Sequence, residues 1–183
     1  MTTTVAELTD TDRRVLGLAA HEAAHAVVGT IHGAAIERAV LAEDGSTGRC
    51  RFSGGSTFGA APTVHRAEIA AAGAVAAAIV HHGRQATSHQ VEALLGPGDR
   101  EELRLAVMSS REPFTAPIMA VKPLIFRCWD AISTLAGRLA TGGEIRQRDV
   151  RAALGLSNDP ETAAFQLSLI RSGSAPGSFA VTG

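Results

Sequence analysis

The residues with the clearest capacity for chemistry are His21 and His25, four apart, with Glu22 beside the first. On a helix this spacing puts the two imidazoles on one face in successive turns. Their nitrogens can then reach one zinc ion at about 2.0–2.1 Å. A glutamate next to the first ligand, in the pattern H-E-x-x-H, does not bind the metal but faces the water that the metal acidifies, and takes its proton. Each residue type is required: neutral imidazole to ligate, and a carboxylate to accept a proton and return it. The chemistry this predicts is hydrolysis. Two histidines and a glutamate are also costly to bury in an apolar helix without a common partner.

The elements that must position these residues can be read from the same pattern. Thr9 to Thr11 offer caps for a first helix that runs through Val15, Leu16, Leu18, Val27, Val28 and Ile31 and stops at Gly33. Residues 35–41 and 49–52 alternate and flank a Glu-Asp-Gly-Ser-Thr-Gly link, which predicts a short β-hairpin or small sheet. Residues 53–61 are rich in Gly and Ser and read as a mobile loop. A second long helix is expected after Pro62, ending at Gly83. Gly96-Pro97-Gly98 predicts a turn, with Asp99 opening a helix to about Ser110. Residues 114–140 read as one further helix with a kink at Pro123, and residues 147–154 as a short last one. The expected fold is mainly α (α+β), a helical domain over residues 1–155 with a small hairpin or sheet after the motif helix. The Ser, Gly, Ala and Pro content beyond Asn158 predicts a poorly ordered tail over residues 156–183.

Composition narrows the classes of function. The chain has 183 residues, 45% of them apolar, so it can bury a core of ordinary size. The net charge is -1, without a basic run, which argues against a nucleic-acid partner. Lys122 is the single lysine and follows no glycine-rich loop, so the chain holds no G-x-x-x-x-G-K-[ST] nucleotide-binding sequence. Cys50 and Cys128 lie far apart and read as buried thiols of a reducing compartment. The N-terminus has no signal-peptide pattern, and residues 15–31 carry three polar side chains where a membrane span would be apolar. A cytoplasmic protein without a membrane span is expected.

A catalytic zinc site needs a third protein ligand and an open position. The metzincin continuation H-x-x-G-x-x-H does not follow His25. The remaining candidates are Asp99, Glu101, Glu102, His65, His81, His82 and His89. Asp99 follows a rigid turn that would aim its carboxylate, although a helix N-cap would explain the residue equally well.

Beyond this point the sequence resembles the peptidase domain of the FtsH-type ATP-dependent zinc proteases. The likeness begins at Asp12-Arg13-Arg14-Val15-Leu16 and includes His21-Glu22-Ala23-Ala24-His25-Ala26-Val27-Val28. It continues through the alanine-rich stretch 69–83, Gly98-Asp99 with residues 103–107, and residues 135–154 with Glu144-Ile145 and Asp149-Val150-Arg151-Ala152. The resemblance implies His21, His25 and Asp99 as zinc ligands and Glu22 as general base. The family usually has glycine where this chain has Ala24, and Gly96-Pro97-Gly98 is not the usual lead-in to its aspartate. The family's ATPase module and membrane anchor are missing from the chain, so short peptides, disordered tails or a partner-presented polypeptide are the expected substrates. The resemblance raises two partners, a separate ATPase and further copies of the chain. The strand at residues 49–52 could take a peptide along its edge, or be an edge protected by Arg49 and Arg51. Two other readings stay open: a catalytically silent peptidase-like binding module, and an assembly protein that packs through faces such as residues 70–78.

Overall fold

The computed structural model describes residues 8–54 and 65–179. Among them are eight helices and one two-stranded antiparallel sheet, so the chain is mainly α. Helix α1 spans Asp10–Ile31 and starts in a capping box. The Thr9 hydroxyl accepts from the Asp12 amide at 3.1 Å, and the Asp12 carboxylate accepts from the Thr9 amide at 3.0 Å. From Gly17 onward α1 is almost entirely buried, which makes it the central element. It ends at Ile31, and Gly33 then takes a positive φ of 89° to turn the chain out.

Strands β1 (Ile36–Leu41) and β2 (Gly48–Phe52) form the expected hairpin, with Leu41 opposite Gly48 and Ala39 opposite Cys50. The far side of β1 is taken by Ile145, which exchanges two backbone hydrogen bonds with Ala39 at 2.8 and 3.0 Å. Among the described residues the outer edge of the sheet is therefore β2. Of the expected mobile loop at residues 53–61, positions 55–61 lie outside the described residues.

Helix α2 (Arg66–His82) is buried from Ile69 to Ala78 and packs along α1. Gly17 meets His81, His25 meets Gly73, and His32 meets Glu68, so the two helices run in opposite directions. Small side chains at the contact allow the close approach. Helix α3 (Ser88–Ala93) was not anticipated; Thr87 and Gln90 build a capping box in a segment that reads as polar loop. Helix α4 (Pro97–Ser110) follows Gly96 and buries only Leu103.

The single helix expected over residues 114–140 is two helices, α5 (Ala116–Arg127) and α6 (Trp129–Ala140). The break falls at Cys128 (φ -96°, ψ 12°), not at Pro123, which sits within α5. The turn at Cys128 lets α5 pack on α2 and α6 on α1, which one straight rod could not do. Helix α7 (Gln147–Ala153) ends the segment anticipated as ordered.

The tail expected over residues 156–183 needs correcting. Residues Pro160–Ser172 form helix α8, with Asp159 as N-cap accepting from the Thr162 amide at 2.8 Å and Pro160 in its first turn. Ala163, Gln166 and Ile170, at helical spacing, form its buried face. Ile170 is fully buried, and Arg171 Nη1 donates to the Ile31 carbonyl at 2.6 Å, so α8 belongs to the same core. Residues 180–183 lie outside the description.

Candidate metal centre

His21 and His25 leave α1 on the face that meets α2 and the start of α4. Their Nε2 atoms lie 2.9 Å apart. Asp99, in the first turn of α4, puts Oδ2 3.1 Å from His21 Nε2 and Oδ1 3.5 Å from His25 Nε2. Donor atoms held tetrahedrally at about 2.1 Å from zinc stand about 3.4 Å from one another. The three separations bracket that value. The side chains are nearly closed to solvent, with 13% exposure at His21, 7% at His25 and 14% at Asp99.

The Ile69 carbonyl decides what His25 can do. It lies 2.8 Å from His25 Nδ1 and can only accept, so Nδ1 carries the hydrogen. In the neutral ring Nε2 is then left with a lone pair facing His21 and Asp99. This is the outer contact that fixes tautomer and ring orientation in metal-binding histidines. Without an ion, burial works to lower the His25 pKa, but the Asp99 carboxylate, Glu22 and the Ile69 carbonyl outweigh it and raise it to about 9. Burial likewise works against charge on Asp99, and the two imidazoles overcome it, holding the carboxyl well below its usual range. Asp99 is not the cap of α4. Gly96 holds that position, which leaves the carboxylate for the two rings.

Two glycines make room for this cluster. A Cβ at Gly73 would stand 2.5 Å from His25 Nε2 and 2.6 Å from His21 Nε2. A glycine inside a helix costs about 1 kcal/mol relative to alanine, and here only glycine fits. At Gly48, a Cβ would come within 2.7 Å of Glu22 Oε1. Glu22 is 6% exposed and accepts a hydrogen bond from the Cys50 amide of β2. Burial raises its pKa, and the nearby imidazoles temper the rise. The carboxyl is thus moved toward the range in which it can both take and release a proton.

No family model, curated protein or solved structure matches the chain. The geometry of the cluster therefore carries the functional reading. His21, His25 and Asp99 come together, with Glu22 beside them. The other candidate ligands do not join. Glu101 pairs with Arg104 at 2.7 Å, and His82 and His89 are exposed. His81 lies against Gly17, and Glu102 lines a cavity between α2, α4 and α5. His65 belongs to a second cluster with His32 and Glu68. Sequence reasoning passed over His32, although it follows His25 by seven residues and so shares its helix face. Cys50 and Cys128 are unpaired, and burial pushes the Cys128 thiol up to about 12.

Proposed function

We propose that the chain is a zinc-dependent metallopeptidase that hydrolyses extended polypeptide segments. The observation that carries this reading is Asp99, which arrives from a distant helix with one carboxylate oxygen directed at each histidine of the H-E-x-x-H pair. Two imidazoles and one carboxylate, with an open position, suit zinc well. A zinc ion held there would polarise the scissile carbonyl and lower the pKa of water. Glu22 would accept the water's proton as the water oxygen bonds to the carbonyl carbon, and would return it to the amine nitrogen as the C–N bond breaks. Its burial and raised pKa suit both transfers.

The substrate class follows from β2. Its partner β1 is paired on both sides, whereas among the described residues β2 has no strand on its outer edge, and the Cys50 amide on this strand donates to Glu22. A peptide lying along that edge through backbone hydrogen bonds would pass the proton acceptor. Gly48, bare of side chain, keeps the approach open. Only an extended chain can use such an edge, so disordered tails, short peptides or a polypeptide unfolded by a partner are the substrates.

The test is metal content and peptide turnover in wild type, His21→Ala, Asp99→Ala and Glu22→Gln. A zinc equivalent lost in the first variant, weakened in the second and kept in the third is expected. Glu22→Gln should also lower turnover by about 10²- to 10⁴-fold. Full zinc binding by His21→Ala and Asp99→Ala, or unchanged turnover by Glu22→Gln, would sink the reading.

A further inference from the structure

The second cluster lies beside the first along the α1–α2 pair, toward the C-terminus of α1. His32 closes the C-terminus of α1, His65 immediately precedes α2, and Glu68 is in the first turn of α2. One ligand atom from each lies within 4.8 Å of the other two. Glu68 Oε2 is 3.0 Å from His32 Nε2 and 3.8 Å from His65 Nδ1, again on either side of the separation expected around a tetrahedral ion. The two rings are stacked, with centroids 4.0 Å apart and planes 17° from parallel.

His32 is the telling member. Its side chain is 5% exposed, yet neither ring nitrogen makes a hydrogen bond of acceptable geometry. Buried polar groups are ordinarily paired, and an unmet one costs about 1–3 kcal/mol. Glu68 Oε2 lies 3.0 Å from Nε2 and can only accept, so in the neutral ring whichever nitrogen is unprotonated keeps a lone pair that nothing takes up. A cation drawn between the two rings and the carboxylate would take that lone pair up. The C-terminal end of α1, where the helix dipole favours positive charge, lies at the same place.

We propose that His32, His65 and Glu68 form a second binding site for a divalent transition-metal ion such as zinc. Two imidazoles and a carboxylate match the donor preference of that class and not of calcium or magnesium, which favour oxygen. His65 and Glu68 are each about three-tenths exposed, which gives an ion a way in and leaves room for water as a fourth ligand. Sharing an ion with His32 would require His65, one-third exposed, to tilt its ring out of the stack. The ion would fasten the C-terminal end of the motif helix to the start of α2. It needs no part in hydrolysis and does not rest on the peptidase reading.

The experiment is titration of the metal-stripped full chain with Co²⁺, read by d–d absorption and by elemental analysis after gel filtration. Wild type should take up two equivalents. His65→Gln and His32→Gln should each take up one, and Asp99→Ala should keep the equivalent that those two variants lose. Far-UV circular dichroism confirms that each variant is folded, and His65→Gln, at the less buried position, guards against failure of His32→Gln to fold. A wild type that saturates at one equivalent lost only in Asp99→Ala would overturn the proposal. So would a second equivalent that survives both His32→Gln and His65→Gln. A single equivalent lost in His65→Gln but kept in His21→Ala would support this site while sinking the peptidase centre.

Discussion

Gly73 stands so close to His25 that a methyl group in its place would be 2.5 Å from Nε2. In an otherwise alanine-rich helix, this one missing side chain is what allows two imidazoles to lie between α1 and α2. Gly73→Ala should therefore displace both rings. Zinc affinity at the His21–His25–Asp99 site should fall by about 10- to 100-fold, as when ligand orientation is disturbed elsewhere. The metal-free variant should not be badly destabilised, since alanine gains about 1 kcal/mol of helix propensity. Competition with a chromophoric chelator measures the affinity; an unchanged value would show that the rings have room to spare.

Gly48 makes a parallel case for Glu22. Valine suits a strand, so Gly48→Val should fold, but its side chain must push the Glu22 carboxylate aside. Peptide turnover should drop by about 10²-fold while bound zinc is unchanged. Equal kcat for the variant and wild type would mean that the position of Glu22 does not limit proton transfer.

The pH dependence of the metal-free chain has a definite sign. Burial opposes charge on His25, yet its neighbours raise its pKa to about 9 from an ordinary 6.5. Its protonated form is therefore stabilised by folding, fully below pH 6.5, and that stabilisation is lost as pH rises through about 9. Asp99 is held below its ordinary 3.8, so its contribution is present above that pH and is lost as pH falls through the depressed value. Chelator-treated protein should melt highest between about pH 4 and 6.5. An ion must displace the His25 proton, so the rise in Tm on adding zinc should grow between pH 6.5 and 9. A flat Tm across that interval without metal would show that the His25–Asp99 pair does not titrate as described.

Helix α8 gives a test of the fold itself. Ile170 is fully buried, and truncating such a side chain costs about 2–5 kcal/mol. Urea unfolding of Ile170→Ala should show a loss in that range. A tail detached from the core would show none.

Local pattern was enough to read α1, the hairpin, α2, α4 and α7, because each is bounded by a cap, a glycine or a proline and carries its own periodicity. Helix α8 was hidden by the composition of the residues around it, although Ala163, Gln166 and Ile170 hold the spacing of a buried face. The break at Cys128 could not be read, for it answers to the packing of α5 and α6 on different helices. The site divides in the same way. His21, Glu22 and His25 are set by spacing along one helix. Asp99 was marked by the rigid turn before it, and the family resemblance set it ahead of the other candidate ligands. The Ile69 carbonyl and the clearances at Gly48 and Gly73 arise between elements, and no local pattern marks them.

Helix α4 tucks only Leu103 fully away from solvent, so it has little apolar purchase of its own. Near its start it is held by Asp99, whose carboxylate reaches across to α1, and by Arg100, which donates to the Glu92 carbonyl at 2.7 Å. An ion shared by the three residues would act as a rivet between this lightly attached helix and the most deeply buried one. Taking the ion away would loosen α4 before anything else and expose its backbone to cleavage. Under metal scarcity the proposed peptidase would then become a substrate for others.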